Sequence, residues 1–443
     1  MRTPRLAWVA ALGVTLAACG GTTSAPTPSS PTGSPAPTSI PGSPAAVANP
    51  YVDCSSYGQV TCITPAAIRA AYDITPVLSA GITGAGQTVV LREIAQTALD
   101  PPDVSDIQQD IAAFDSQYGF PALTLNVETQ LDPTADPTLA DSEEVQDVEL
   151  VHTVAPGAAV DVVLQPSTAY ATAAQAITGF ESALNLGASE GNIISFSVSY
   201  GEQCFTSTEL QSLDSTLATV SAHGVTVTGS SGDYGAVAKP CPGEDNTTKE
   251  VGIPAADPHV LAVGGTHLVV NSTTGAYVSE VVWNTGVDAS ADENSDASGG
   301  GFSTAFGVPA YQKGVPGITS GRGVPDVAAD AALATGMAGV VTLGPGDNAI
   351  FATSGTSAGA PLWAGVVALA DQLAHRGLGS INASIYSIAK ADPSAFQDVT
   401  QGSNTVSFPP AVITGYSAGA GWDPVTGWGS PNTRILVPLL AAG

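Results

Sequence analysis

Residues 354–361 read Ser354-Gly355-Thr356-Ser357-Ala358-Gly359-Ala360-Pro361 and open an apolar stretch that extends to Leu373. From about Gly339 the pattern changes from a strand, through this sharp glycine-rich turn, to a long helix predicted over Ser357–Leu373. A serine at the N-terminus of a buried helix lies where backbone N–H groups and the helix dipole favour developing negative charge. Ser357 is therefore a candidate nucleophile, and an ordinary N-cap serine is the alternative interpretation.

Upstream of this turn, short apolar runs alternate with stretches of helical spacing. The runs predicted to be buried strands are Gln87–Ala95, Val160–Leu164, Ile193–Val198 and Val225–Thr228. The predicted helices include Val104–Tyr118, Ala171–Leu186 and Ser207–His223. Strands that alternate with helices in this way indicate a doubly wound α/β fold with a parallel sheet.

A serine nucleophile needs a neighbouring group that accepts its proton. The segment around Ser357 resembles the serine motif of the subtilisin-like superfamily, whose base is a histidine in a His-Gly-Thr motif. The histidines of this chain are His152, His223, His259, His267 and His375, and none is followed by Gly-Thr. A Ser-His-Asp triad of the subtilisin type is therefore not expected.

The segment 141–155, DSEEVQDVELVHTVA, is predicted to be a helix with one buried face. Either Asp141 or Ser142 is expected to cap its N-terminus. The predicted buried stripe consists of Val145, Val148, Val151 and Ala155. Glu144 and Glu149 are expected to be solvated.

Glu143 and Asp147 of this segment are four residues apart, so they lie on one helix face about a turn apart. Two like charges at that distance repel, which raises the proton affinity of one of them. A buried pair would titrate as a coupled unit and could supply the missing base. The alternative is a solvated acidic face on a surface helix.

A third candidate carboxylate, Asp233, follows the predicted strand Val225–Thr228 in the sequence Ser230-Ser231-Gly232-Asp233-Tyr234-Gly235. Parallel α/β sheets place their ligands at the carboxyl ends of the strands. Asp233 is therefore a candidate site residue, and an aspartate that only stabilises a turn is the alternative.

The charge balance excludes some classes of function. The chain has 11 Lys and Arg residues against 39 Asp and Glu residues, a formal net charge of −28 at pH 7. Such a chain has no basic stripe for phosphates, so nucleic-acid binding is not expected. A polybasic membrane contact is not expected either. In acid, the same shortage of cations limits how positive the molecule can become, which favours acid tolerance.

The N-terminus resembles an export signal. Residues 1–19 combine Arg2 and Arg5 with a short apolar run and end in Leu16-Ala17-Ala18-Cys19, which resembles the lipobox of bacterial lipoproteins. Cys19 would then carry acyl chains that hold the protein at the extracellular face of a membrane, with possible release. A plain secretory signal is the alternative. Residues 20–50, rich in Pro, Ser and Thr, are predicted to be a flexible linker.

Four further cysteines suit an exported chain, in which an even number favours disulfides. They are Cys54, Cys62, Cys204 and Cys241. Of the three possible connectivities, the local pairs Cys54–Cys62 and Cys204–Cys241 are favoured.

Together, Ser357, Glu143, Asp147 and Asp233 resemble the active-site residues of the sedolisin family of serine-carboxyl peptidases, the kumamolisin-like enzymes. Other stretches that match the family are ITGAGQTV (82–89), IPAADPHVLAVGGT (253–266), SGGGFSTAFGVPAYQ (298–312), GRGVPDVAADA (321–331) and GYSAGAGWDPVTGWGSPN (415–432). The resemblance implies a subtilisin-like α/β fold with a mostly parallel, seven-stranded sheet flanked by helices. It places this single large peptidase domain at residues 51–443.

The same resemblance implies the roles of the site residues. Ser357 would attack the peptide carbonyl and form an acyl-enzyme, Glu143 would be the general base and acid, and Asp147 would orient Glu143. Asp233 would donate a hydrogen bond in the oxyanion hole, which requires a protonated carboxyl and hence acid pH. The substrates would be proteins or peptides, and a monomer is expected. Endopeptidase and tripeptidyl-peptidase activity both remain open.

The family also implies one structural Ca²⁺ ion near the C-terminus. Its ligands here would be Asp398, the Val399 carbonyl, the carbonyls of Gly419 and Gly421, and Asp423. An all-oxygen set with two carboxylates suits a hard cation. The alternative is a pair of ordinary glycine-rich turns.

Two departures from the family pattern stand out. Position 146, often leucine in the family, is Gln146. A large N-terminal prodomain is usual in the family, whereas the stretch between Cys19 and the first matching motif is short and linker-like. The alternative function is a catalytically silent surface lipoprotein of the same fold that binds peptides, but loss of one of the four site residues would be its signature, and none is lost.

Overall fold

The computed structural model describes residues 39–42, 47–55, 61–96, 105–241, 248–286, 296–344, 347–408 and 411–443. The predicted signal peptide with Cys19, and most of the predicted linker, lie outside the described residues. Contacts along the chain group Pro37–Gly443 into one unit, and the whole fold described below belongs to it.

A twisted central sheet organises this unit. Its strands, in chain order, are β1 (Thr88–Ile94), β2 (Leu125–Glu128), β3 (Ala159–Gln165), β4 (Ile193–Phe196), β5 (Thr226–Ser230), β6 (Val260–Val270), β7 (Tyr277–Val282) and β8 (Val327–Asp330). The spatial order is β7-β6-β5-β4-β1-β3-β2, and β8 also pairs with β6. All pairings are parallel except the antiparallel pairing of β6 with β7.

The α-helices of the described residues are α1 (Pro65–Ala71), α2 (Ile74–Ser79), α3 (Ile107–Tyr118), α4 (Ser142–Val154), α5 (Ala173–Glu190), α6 (Ser207–Ala222), α7 (Gly355–Ala374), α8 (Asn382–Ala391) and α9 (Thr433–Ala442). A hairpin, β9 (Ala338–Gly344) and β10 (Asp347–Ala352), leads into α7. Short strands occupy Tyr51–Val52, Cys62–Ile63, Ser105–Asp106, Leu139–Ala140, Tyr200–Gly201, Gly252–Ile253, Gly301–Phe302, Gly323–Val324, Phe396–Gln397, Val406–Phe408, Ala411–Ile413 and Ser430–Pro431. Among the helices described, none is long and apolar enough to cross a bilayer.

The two faces of the sheet are covered by different helices because successive side chains of a strand point to opposite sides. On β1, Val89 and Leu91 belong to the core that also contains α4 and α7. Val90, between them, packs with α5 and α6 on the other face. Such burial on both faces explains why these strands appear in the sequence as continuous apolar runs.

The predicted α/β fold with a mostly parallel sheet between helices is confirmed. The sheet in the described residues has eight strands, however, not the seven expected. Seven are parallel, and β7 adds an antiparallel edge because β6 is 11 residues long and continues beyond its parallel neighbours. The local disulfides Cys54–Cys62 and Cys204–Cys241 are both present, as predicted.

Helix α4 is buried on nearly all sides, and this corrects one expectation. Glu144 and Glu149, predicted to be solvated, are 1% and 0% exposed. Glu144 folds back to accept the Asp141 N–H in a capping box at 3.0 Å. Glu149 accepts the N–H of Val340 in β9 at 3.0 Å. The hairpin that covers α4 lies almost 200 positions downstream, so the local sequence pattern could not indicate it.

Candidate active site

Ser357 is the third residue of α7, in the first turn of the helix. The N-cap is Ser354, so the interpretation of Ser357 as a simple N-cap serine is wrong. Gly355, with φ +78°, makes the turn into the helix, a conformation that favours glycine. The first-turn N–H groups of a helix have no partner within it, so a reacting group beside Ser357 would meet the positive end of the dipole.

The N-termini of α4 and α7 meet at the carboxyl edge of the sheet. Helix α4 precedes β3 in the chain and ends near the amino end of that strand. The first residues of α4 therefore lie at the carboxyl edge of the sheet. Glu143 is the second residue of α4, and its carboxyl lies close enough to the Ser357 hydroxyl for that hydroxyl to lower its pKa. The Ser357 hydroxyl itself donates to the Ser197 carbonyl at 3.2 Å. The predicted base therefore lies beside the predicted nucleophile.

Asp147 lies one turn further along α4 and is fully buried. It accepts a short hydrogen bond from the Ser197 hydroxyl. Its carboxyl also lies near that of Glu93, a buried residue of β1, whose charge raises the pKa of Asp147. The site thus contains a chain of three neighbouring carboxyls, Glu143, Asp147 and Glu93, whose charges influence one another.

The proton affinities of this carboxyl chain are raised. Removal from water, together with the charges of Glu93 and Asp233, raises the pKa of Glu143 to about 8, against the opposing effect of the neighbouring Ser357 hydroxyl. Burial raises the pKa of Glu93 to about 7, although the Arg92 charge opposes this. Burial, with the charges of Glu93 and Glu143, holds the pKa of Asp147 well above its usual range. These groups therefore keep protons at pH values at which free carboxyls have lost theirs.

Asp233 follows the carboxyl end of β5 and faces the start of α7. Its Oδ1 accepts the Thr356 N–H at 2.8 Å and the Thr356 hydroxyl at 2.7 Å. Its Oδ2 lies against Gly355, where a Cβ atom would come within 2.8 Å of it. Burial raises the pKa of Asp233, and the two Thr356 hydrogen bonds lower it. With Oδ1 occupied by two donors, Oδ2 is the oxygen that can carry a proton.

Ser357 and Asp233 line one cavity of about 190 Å³. Its other lining residues are Ser197, Val198, Ser199, Ser230, Gly232, Tyr234, Lys239 and Thr356. Lys239 is exposed, and its Nζ lies 5.0 Å from the centre of the Tyr200 ring. A chain with so few cations thus places one of them in the cavity that contains the nucleophile.

The residues expected to bind calcium also lie together. Asp398 accepts the Gly421 N–H at 3.0 Å, and Asp423 accepts the Gly419 N–H at 3.1 Å. Both carboxylates therefore contact the backbone of the segment 419–421. The side chains are oxygen donors, and Gly421 has φ +75°, which lets its backbone turn tightly beside them. This donor set fits a hard cation such as Ca²⁺.

Sequence reasoning missed Glu93, Ser197 and Lys239 as residues of this site. Glu93 had a usable signal, because an Arg-Glu pair interrupts a strand that was predicted to be buried. Gln146 was noted only as a departure, yet its Oε1 accepts the Ser354 N–H at 2.8 Å. Ser197 lies within the predicted strand Ile193–Val198, where nothing marks it as a site residue, and Lys239 lies in a segment without a distinctive pattern.

The sequence model of the subtilase family matches residues 137–404, more than half of the chain. The chain belongs to the subtilase family. Within this family, the subtilase domain described here is 33% identical to kumamolisin of Bacillus sp. (strain MN-32) over 392 residues, 86% of this chain. It is 38% identical to sedolisin of Pseudomonas sp. (strain 101) over 228 residues, 51% of this chain. These similarities support its place among the sedolisins.

A solved structure agrees with this placement. Pseudomonas sedolisin, a serine-carboxyl proteinase complexed with two molecules of pseudo-iodotyrostatin, superposes on this subtilase with a TM-score of 0.69 at 29% identity. The alignment covers 86% of this chain and 97% of that one. In contrast, the chain spans only 64% of kumamolisin and 37% of the full sedolisin sequence.

Proposed function

We propose that this subtilase is an acid-acting serine-carboxyl peptidase that hydrolyses peptide bonds through a Ser357-Glu143-Asp147 triad. The observation that carries the proposal is the proximity of the Glu143 carboxyl to the Ser357 hydroxyl at the N-terminus of α7. A nucleophile in contact with a base that is itself oriented by a third group is the arrangement that covalent catalysis requires. The relatives named above are peptidases of this type, which supports the assignment.

The first half-reaction forms an acyl-enzyme. Ser357 Oγ attacks the carbonyl carbon of the scissile bond while ionised Glu143 accepts the hydroxyl proton. Glu143 then returns this proton to the leaving amine as the tetrahedral intermediate collapses. In the second half-reaction a water molecule attacks the ester, and Glu143 accepts and returns a proton in the same way. Asp147 holds Glu143 in place, so the base remains oriented throughout.

Asp233 stabilises the oxyanion. Its protonated Oδ2 donates a hydrogen bond to the oxygen that becomes negative, while Thr356 holds Oδ1. A donor in this role contributes on the order of 10²–10³ in kcat. The role requires a neutral carboxyl, and the raised pKa of Asp233 supports it. Activity should therefore fall as the pH rises and Asp233 loses its proton.

Calcium and export complete the proposal. Asp398, Asp423 and the carbonyls of Val399, Gly419 and Gly421 would hold one Ca²⁺ that stabilises the C-terminal part of the fold. Removal of calcium by a chelator should lower the melting temperature, and an unchanged value would count against the ion.

We further propose that the chain is exported, as a lipoprotein anchored through Cys19, and acts as a monomer on proteins or peptides. Metabolic labelling with a tagged fatty acid tests the anchor, because Cys19→Ala should abolish the label.

The decisive experiment is cleavage of a denatured protein from pH 2 to 7. The wild-type protein should cleave it, and Ser357→Ala should be inactive. Glu143→Gln keeps the size of the side chain but cannot accept the proton, so it should lose almost as much activity. Serine-independent cleavage, or none at any pH, would overturn the proposal. Peptide binding without cleavage would favour the alternative of a silent peptide-binding lipoprotein.

A further inference from the structure

A second cluster of polar side chains lies away from the catalytic carboxyls. Asp214 of α6, with Asp257 and His259 of the segment that precedes β6, brings three potential metal-ligand atoms within 4.8 Å of one another. His259 Nε2 lies 3.8 Å from Asp214 Oδ1. Ligand atoms around one small cation at about 2.1 Å are separated by roughly 3–3.5 Å, so small side-chain movements would complete the contact.

Asp257 is the unusual member of this cluster. Its side chain is fully buried. One carboxylate oxygen, Oδ1, accepts the His259 N–H at 2.8 Å. The other, Oδ2, is buried and has no hydrogen-bond partner among the described residues. A buried carboxylate oxygen without a partner is costly, and a bound cation is one way to satisfy it.

A neighbouring cation, Arg322, does not satisfy this oxygen. Arg322 donates to the Asp326 carboxylate through Nη2 at 2.7 Å and through Nη1 at 3.1 Å. Its Nε donates to the backbone carbonyl of Asp257, not to the carboxylate. Arg322 and Asp326 thus form a buried ion pair of their own. Within the cluster, the His259 imidazole is the partner of Asp214, whereas Asp257 Oδ2 has none among the described residues.

We propose that Asp214, Asp257 and His259 form a binding site for a divalent transition-metal ion of the zinc class. Imidazole nitrogen together with two carboxylate oxygens suits Zn²⁺ and its neighbours better than Ca²⁺ or Mg²⁺, which take oxygen ligands alone. The side chains of His259 and Asp214 are 34% and 41% exposed, so an ion can enter from solvent and keep water in its remaining positions.

The position of the site determines what the ion does. Asp257 and His259 lie at the amino end of β6, whereas Asp233 follows the carboxyl end of the neighbouring β5. A strand the length of β5 spans about 17 Å at roughly 3.3 Å per residue, so the ion does not touch the substrate. It connects α6 to the segment that enters β6 and stabilises that end of the sheet.

Metal binding is tested on the Ser357→Ala protein, in which self-digestion is removed. The protein is treated with a chelator, then dialysed into excess CaCl₂ at pH 7.5, and titrated with ZnCl₂ by calorimetry and thermal unfolding. One Zn²⁺ should bind per chain, and a hundredfold excess over Kd should raise the melting temperature by about 3 °C or more. Co²⁺ in place of Zn²⁺ should give visible absorption bands.

Asp214→Asn and His259→Asn should each weaken Zn²⁺ binding at least tenfold and remove the shift in melting temperature. His223→Asn is the matched control, because His223 caps the same helix and is exposed. It should bind Zn²⁺ like the parent, and all variants should keep the parent circular dichroism spectrum. Absence of Zn²⁺ binding, or binding that survives both substitutions, would overturn the site and leave an ordinary His259–Asp214 ion pair. Neither result bears on peptidase activity, which is measured separately.

Discussion

Gln146 Oε1 accepts the backbone N–H of Ser354 at 2.8 Å, and this bond joins the two helices of the active site. Gln146 lies on α4 beside Asp147, and Ser354 is the N-cap of the helix that carries Ser357. The bond therefore fixes the start of α7 relative to the carboxyls that serve the nucleophile.

Gln146→Leu should lower kcat by up to about tenfold, which corresponds to about 1.4 kcal/mol. The substitution removes the acceptor of the Ser354 N–H but keeps the volume of the side chain, so KM should change little. The measurement is steady-state kinetics on a peptide substrate, with the melting temperature as the check on folding. Unchanged kcat would show that the packing of α4 against α7 positions Ser357 without this bond.

Glu93 offers a test of the carboxyl chain through the pH profile. The charge of Glu93 raises the pKa of both Glu143 and Asp147, so Glu93→Gln should lower both. Because Glu143 acts as a base only when ionised, its larger ionised fraction should raise kcat/KM at acid pH. The measurement is kcat/KM as a function of pH for the wild-type protein and for Glu93→Gln. A kcat/KM of Glu93→Gln that is unchanged or lower at acid pH would contradict this expectation.

Lys239 should influence which substrates are cleaved. Lys239 lines the same cavity as Ser357, so a substrate with glutamate bound there should be cleaved faster than one with glutamine near pH 5. The expected ratio of kcat/KM is up to about fivefold, because exposed ion pairs contribute at most about 1 kcal/mol. Lys239→Met should reduce the ratio to about one.

Lys249→Met is the matched control for Lys239, because Lys249 is also exposed and lies 4.6 Å from the centre of a tyrosine ring, that of Tyr416. It should keep the preference for glutamate. Equal ratios of kcat/KM for the glutamate and glutamine substrates in the wild-type protein and in Lys239→Met would show that the cavity does not select substrates by charge.

The fold and most of the site follow from local patterns in the sequence. The apolar runs and the turn around Ser357 indicate the strands and α7, and the four-residue spacing of Glu143 and Asp147 places them on one face of α4. The burial of Glu149 depends instead on the hairpin β9–β10, and the contact of Glu93 with Asp147 depends on how β1 lies under α4. Such contacts between distant segments have no periodic signal, so the sequence alone could not indicate them.

The buried carboxyls also determine how stability depends on pH. Burial raises the pKa of Glu143 to about 8 and the pKa values of Glu93 and Asp371 to about 7, and each value lies above that of the unfolded chain. Such groups favour the folded state fully below about pH 4 and lose this contribution as the pH rises toward 8. His152 acts in the opposite direction, because burial lowers its pKa and the folded state prefers it neutral.

Several carboxyls have raised pKa values, and their combined effect on stability should exceed that of His152. The folded state should therefore be more stable at pH 4.5 than at pH 8. The small number of cations strengthens the expectation, because 11 Lys and Arg residues and five His residues limit the positive self-repulsion that usually unfolds proteins in acid. The melting temperature of the Ser357→Ala protein, measured at fixed calcium concentration, should rise from pH 8 to pH 4.5. Glu143→Gln in the same background should reduce that rise, because it removes one raised pKa. A melting temperature that falls over this range would show that the buried carboxyls do not dominate stability.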